Sequence, residues 1–425
     1  MKLPWRRLKF LALGVGLMIG LGLIYWAAAN ARAAARVADK LTALRAAGQP
    51  TSLVDLRREP IPPETNAMTY LDQAAAAAEA IVLAVESVET NSPEEEKEAF
   101  MENHPSPAIL AAMRDELAAH PEIVPLYERA AACSDFDPQL DYSVKTRELV
   151  NASNEHLSAL RDVWRVLRYR ALVQLADGQR DDALRTAVLM FRLARHTDHH
   201  QIPLSNFLAT TALRMASIRV TEAVLHSGPV ADELRTQLEA ELAKQDLARS
   251  YREALRCERA FGNEFFHEMA EGPMAITYRQ LPLFKNDLCD YLDLLEFSIQ
   301  SSDRPFIDAT VQQTLDRFER GAGALTRLEL RSVEWTRTAR FRTETLLHSL
   351  RVLNAIQGRE QAGDAAEPQL SNLGLPAETT VDPINGEPLH VKKTPQGWLI
   401  YGVGQNMEDD GGQFKDFLDV GVGAE

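Results

Sequence analysis

Cysteine is scarce: three residues in 425, Cys133, Cys257 and Cys289, with no CxxC pair. That spacing excludes a thioredoxin-like redox motif and a zinc knuckle. Two readings stay open, one oxidised pair with a leftover thiol under any of three pairings, or three buried cysteines acting as small hydrophobes. Catalytic signatures are missing as well. There is no GxSxG elbow, no HExxH and no phosphate-cradling glycine loop, so serine-hydrolase, zincin and phosphate-loop chemistry lack their usual carriers. "GAGALTR" at 321–327 is glycine-rich, but it follows a helix and has no phosphate-loop Lys, so it reads as a helix break. Positive charge is short outside the N-terminus: residues 1–48 carry a net +7 and the remaining chain −22. An acidic body repels phosphate backbones, so no nucleic-acid partner is expected.

Long apolar runs are absent with one exception. From Phe10 to Ala31, "FLALGVGLMIGLGLIYWAAANA", no charged side chain occurs, and about 20 apolar residues suffice for a helix to cross ~30 Å of hydrocarbon. A secretory signal has a shorter apolar region, roughly 7–15 residues, so residues 10–31 are expected to be an uncleaved transmembrane helix. The competing reading is cleavage near "NARA". Residues 1–9, with Lys2, Arg6, Arg7 and Lys9, form a cytoplasmic basic flank, and Tyr25 and Trp26 an aromatic belt at the far headgroup level. The expected address is the bacterial cytoplasmic membrane, single-pass, with the body facing the periplasm. The first partner is then the lipid bilayer, through residues 10–31, and the second a protein of the cell envelope.

Beyond the span the pattern is helical. Residues 32–66 read as a helical stalk, stopped by "GQP", and a neck, "REPIPPETN", stiffened by three prolines that fix φ. Residues 67–357 form an α-helical body. Ser92-Pro93-Glu94-Glu95 predicts a helix start with a capping Ser, and Ser106-Pro107 predicts another. From Leu149, the spacing of Leu157, Leu160, Trp164, Leu167, Ala171 and Leu175 gives one buried stripe on a long helix ending at Asp177-Gly178. A second helix follows with Ala183, Leu184, Ala187, Phe191 and Ala194 inward. Gly178 and Ala183 match the small positions of a tetratricopeptide hairpin, and this turn resembles that family over one repeat, with no second copy at the ~34-residue period. Helical hairpins in a solenoid-like body are therefore expected. Further helices are predicted over 202–226, 230–271 (stopped by Gly272-Pro273), 283–301, 308–320 and 324–357.

Two clusters bear metal-ligand chemistry. "HTDHH" sets His196, Asp198, His199 and His200 just after a helix, where imidazoles suit a transition metal; exposed loop histidines are the plainer reading. "EFFH" places Glu264 and His267 at the ExxH spacing of di-iron bundles, but such bundles need two of these motifs and two more Glu. An amphipathic helix with a polar edge accounts for it.

The chain ends differently. After a linker over 358–378, residues 379–425 carry two β-prone runs, "PLHVKK" and "WLIYGV", joined by "TPQG". Two strands are not stable alone, so this β-hairpin module is expected to pack on the helices. An acidic loop follows. Asn406, Glu408, Asp409, Asp410 and Asp416, with Gly411 and Gly412 to bend the backbone, offer the oxygens that a hard cation such as calcium takes; the plain alternative is an acidic surface loop.

Asp382, Pro383, Gly386, Pro388, Tyr401 and Gly404 stand in the order "DP..G.P", aromatic, small residue, with Asn406, Asp409 and Asp410 beyond. Over about 35 residues this resembles the C-terminal module of type II secretion pseudopilins. That resemblance implies a short sheet and a calcium loop, with Asn406, Asp409, Asp410 and Asp416 as the candidate ligands here. The N-terminus has neither the prepilin leader nor a Glu inside the apolar helix. Across most of its length, with the "PIPPETNA" neck and the "DDGG" ending, the chain is similar to bacterial single-span envelope proteins with a helical body. The expected class is mainly α with a small β-hairpin module. The expected role is a non-catalytic binding or scaffolding protein of the envelope. A secretion-linked pseudopilin-like component and a metal-dependent hydrolase using the histidine cluster are the alternatives.

Overall fold

The computed structural model describes residues 5–199, 203–271, 282–363 and 368–423. The chain is mainly helical and carries a small three-stranded antiparallel sheet near its C-terminus. The first helix, α1 (Trp5–Ala46), runs without a break from the basic flank through the apolar stretch into the stalk. Its most apolar window has mean hydropathy 2.0 and none of it is buried, the profile of a membrane span or a signal sequence. α2 (Ala67–Thr90) is also long and apolar, but it contributes Leu71, Ile81 and Val85 to the core and belongs to the body.

"GQP" ends α1 as expected, because Gly48 adopts φ +67 and the Gln49 amide reaches back to the Leu44 carbonyl, satisfying the frayed end of the helix. The stalk is no free tether. Along α11 (Pro282–Gln300), Arg36 donates to Asn286 Oδ1 at 2.6 Å, Lys40 pairs with Asp293, and Lys285 Nζ reaches Asn30 Oδ1 at 2.8 Å. Neither is the neck free. Arg58 donates to the Phe136 carbonyl, and the buried Asn66 caps α2 through the Met68 amide while exchanging two hydrogen bonds with the backbone of Asp137.

α3 (Glu94–Met101) and α4 (Pro107–Ala119) start at the two Ser-Pro signals. Ser106 caps α4 as predicted, whereas Ser92 does not cap α3; its hydroxyl turns back to the Val88 carbonyl in the preceding helix. α5 (Ile123–Ala132) leads to α6 (Thr146–Ala176) and α7 (Arg180–His196), which pack on each other across a turn where Gly178 takes φ +75 and Ala183 is wholly buried. α8 (Leu204–His226) follows. The single helix predicted over 230–271 is two, α9 (Asp232–Leu242) and α10 (Leu247–Glu271), because the chain turns at Ala243–Asp246, where the Asp246 carboxylate accepts from the Arg249 amide at the start of α10. The Gly272-Pro273 stop lies outside the described residues. α12 (Ala309–Gly321) and α13 (Ala324–Gln361) complete the helices, α13 running four residues further than its pattern predicts.

One core runs from α2 through α6, α7 and α8 to α13 and the sheet; a second joins α1, α8, α10, α11 and α13. In the sheet, β1 (His390–Thr394) pairs with β2 (Gly397–Val403) as the hairpin signal predicts. A third strand, β3 (Asp419–Val422), adds to β2 and was not predicted. The run "DVGV" is buried on both faces and has no alternation to betray it. Gly421 is required there, since a β-carbon would meet the Ile400 carbonyl oxygen at 2.2 Å. The sheet packs on α13, as a small module must. No cysteine is in a disulfide: Cys257 and Cys289 are buried and Cys133 is half-buried.

Candidate functional site

The site that gathers unusual chemistry is a cleft in the second core, and the sequence did not single out its residues. Its volume is about 450 Å³. α10 supplies Glu258, Phe261 and Phe265, α8 supplies Leu204 and Leu208, and α13 supplies Leu328, Glu329 and Trp335. The lining is mostly apolar, and the rim exposes Trp335 (75%), Leu328 (66%) and Phe265 (45%). Exposed large apolar side chains gathered on one rim mark a contact site.

Two acids sit inside this lining. Glu258 Oε2 accepts the Leu204 amide at 2.9 Å, so α10 caps the first turn of α8, whose amide donors have no partner within their own helix. Ten residues on, Glu268 does the same for α6, taking the amide and hydroxyl of Thr146. These two caps hold the starts of α6 and α8 to α10 and keep the cleft open between them. The phenol of Tyr291 donates to the Glu258 carbonyl at 2.7 Å, a close approach that Gly262 permits, since a β-carbon there would lie 1.9 Å from the phenol oxygen.

Glu329 has no such satisfaction. Its Oε1 is inaccessible to solvent and makes no hydrogen bond among the described residues. Burial, and then the neighbouring Glu258 carboxylate, hold its pKa up at about 9; burial raises that of Glu258 too, against the pull of the Leu204 amide. Desolvation disfavours each charge and proximity disfavours the second, so Glu329 keeps its proton at neutral pH. Acids perturbed in this way inside a cleft are a recognised mark of a functional site.

A pH dependence follows from the raised pKa. In the unfolded chain Glu329 releases its proton near pH 4.5, while in the folded chain it holds it to about pH 9. Stability contributed by the protonated acid is complete below pH 4.5 and falls as pH rises towards 9. Glu329→Gln is isosteric and does not titrate. Its melting temperature should therefore gain on the parent's between pH 5 and pH 8.5, and thermal melts at the two pH values check this. A parallel pH course in both proteins would place the Glu329 titration elsewhere.

The residues singled out from the sequence lie away from the cleft. His196 is buried with Nε2 3.3 Å from the Ala131 carbonyl, and Asp198 takes hydrogen bonds from Arg214 and from the Ser250 hydroxyl. The side chains of His199 and His200 lie outside the described residues. Glu264 is half-buried and His267 exposed, the latter lining a second cavity of about 420 Å³. That cavity lies between the stalk of α1, at Ala34, Val37 and Leu41, and Phe266 and Phe284; Phe266 also lines the cleft.

In the acidic loop, Asn406 donates to Asp410 Oδ2 at 2.6 Å, and Asp409 Oδ1 accepts from the Tyr401 hydroxyl and the Gly411 amide. Asp416 is exposed at φ +54. The acid brought beside Asp409 and Asp410 is Asp419 of β3, which was not among the candidates. It is buried, its Oδ2 accepts the Gly412 amide, and its Oδ1 has no hydrogen bond among the described residues. Among the described residues, no group of three or more His, Cys, Asp or Glu is arranged to hold a metal ion.

Compared with protein-family models, curated proteins and solved structures, the chain has no match in any of the three.

Proposed function

We propose that the chain is a single-span protein of the bacterial cytoplasmic membrane, its body facing the periplasm, and that it works as a non-catalytic binding protein through the cleft between α8, α10 and α13. The observation that carries the reading is the apolar cleft with its exposed aromatic rim, one wall of which, Phe266, it shares with the cavity against the anchor helix. A binding site built next to a membrane anchor meets ligands that reach or leave the bilayer. The orientation rests on Lys2, Arg6, Arg7 and Lys9, which favour the cytoplasmic side for residues 1–9.

Two measurements test this. The intact chain should fractionate with membranes, and protease added to cells with a permeabilised outer barrier should degrade the body; a full-length soluble pool, or a protected body, overturns the address. A fluorescent apolar probe should bind the purified chain and lose at least tenfold in affinity when Leu208→Trp fills the cleft.

For the acidic loop we propose that calcium, the cation expected from its sequence, is taken by Asn406, Asp409, Asp410 and Asp416. Supporting it are the run of carboxylates and, beside Asp409 and Asp410, the buried Asp419, whose Oδ1 makes no hydrogen bond among the described residues. Uptake has to break the Asn406–Asp410 hydrogen bond and turn Asp416 inward. Calorimetric titration of the full chain should show one site, abolished by Asp409→Ala with Asp410→Ala; no heat and no thermal shift at millimolar calcium leaves a plain surface loop.

A further inference from the structure

We infer that the cleft takes a long-chain primary amine, its ammonium seated between Glu258 and Glu329 and its alkyl chain along the aromatic wall. This deepens the binding role proposed above and rests on it. The argument is one of charge complementarity inside a cavity. Two carboxyl groups line the cleft and, among the described residues, no Lys, Arg or His does. The Glu329 carboxyl group also keeps one oxygen, Oε1, without a hydrogen bond among the described residues.

Three classes of amphiphile meet this arrangement differently. A fatty acid or a phosphate brings another anionic group beside two acids in a low-dielectric site whose lining, among the described residues, holds no cation. A neutral alcohol offers a single donor proton. A primary ammonium offers three donors and a full positive charge, which lets Glu329 release its proton to solvent and both carboxylates ionise beside it. The rest of the lining suits the other end of such a molecule: Leu208, Phe261, Phe265, Leu328 and Trp335 present a continuous apolar wall to a chain. A cavity of about 450 Å³ falls within the range of small-molecule sites. The rim points to the bilayer as the source, because exposed Leu328 lies about one turn from the start of α13, which Asp287 of α11 caps, and α11 is fastened to α1 through the Arg36–Asn286 bond.

The test uses the full chain in phosphatidylcholine nanodiscs and three labelled probes of equal chain length, dodecylamine, dodecanoic acid and dodecanol, counting bound label above empty nanodiscs. One dodecylamine per chain is expected, bound at least tenfold more tightly than either other probe. The affinity should fall at least tenfold in Glu258→Gln with Glu329→Gln, and Leu208→Trp should exclude all three probes. Dodecanol binding as tightly as the amine, and blocked by Leu208→Trp, overturns the amine while leaving the apolar cleft as a binding site. Dodecanoic acid binding best overturns the charge argument. No probe above the empty-nanodisc level overturns the inference and the binding role together. Should the double Gln variant fail to fold, the ranking of the three probes on the parent chain decides the matter alone.

Discussion

Replacing Arg214 by Met should cost the body about 3–5 kcal/mol of stability, the range for breaking a buried ion pair from one side. Arg214 is wholly buried in α8. Its guanidinium donates to Asp198 and, at 3.1 Å, to the Ala194 carbonyl in the last turn of α7; Nε reaches Gln245 Oε1 at 3.3 Å. One side chain thus closes the C-terminus of α7, fixes the acid that follows it and ties both to the turn between α9 and α10. Met keeps the volume and removes every donor. Among the described residues, Asp198 is then left with the Ser250 hydroxyl, and a mostly buried carboxylate loses its cation. Thermal melting of the full chain should show the loss. Asp198→Asn added to Arg214→Met should recover part of it, because the orphaned charge is gone. Strictly additive effects of the two substitutions would show that the pair is not coupled.

Asp382→Ala should release the C-terminal sheet from α13 at a cost of about 3 kcal/mol, two buried amides each losing a charged acceptor at roughly 1–3 kcal/mol. The carboxylate is 1% exposed. Oδ1 accepts from the Ile384 amide and the Thr345 hydroxyl of α13, and Oδ2 accepts from the Val403 amide at the end of β2, each at 3.0 Å. A single acid therefore joins the turn, the sheet and the helix beneath. The turn closes on itself too, with the Gly386 amide donating to the Asp382 carbonyl at 2.8 Å while Gly386 holds φ +79. Gly402 lies against the carboxylate, where a β-carbon would come within 2.3 Å of it. Hydrogen exchange should rise in β1, β2 and β3 of Asp382→Ala and stay at parent level in α6, α7 and α8. Asp382→Asn should fall between, since its amide turns a donor towards one of the backbone amides. Uniform exchange changes across the body would refute the local role.

The Asp382–Gly386 turn is set locally, because Asp, Pro and Gly carry their conformational message in their own backbones. Asp382 opens that turn, and only the tertiary structure makes the same side chain the sheet's anchor, a role that depends on Thr345 37 positions away. The apolar helix α1, the Gly48 and Gly178 stops and the inward stripe of α6 were legible for the same reason: each is set by neighbours three or four residues away. The splitting of 230–271 escaped because no Gly or Pro marks the bend at Ala243–Asp246, which the Arg214–Gln245 bond holds from another helix.

The cleft was not legible, although one signal was present. Leu325, Leu328, Ser332 and Trp335 lie three or four residues apart on one face of α13, with Thr336 beside Trp335, and Glu329 sits among them as an acid in an otherwise apolar or hydroxyl-bearing stripe. Nothing in the sequence pairs it with Glu258, 71 positions earlier on another helix. By itself, then, the sequence determined the apolar first helix, the other helices, the turns and the acidic balance, all consequences of short-range periodicity and composition. Only the tertiary structure decided which acids lose water and face each other, where the stalk and neck dock, and that β3 closes the sheet. Those outcomes depend on desolvation and packing between segments far apart in the chain, and neither is a property of any one segment.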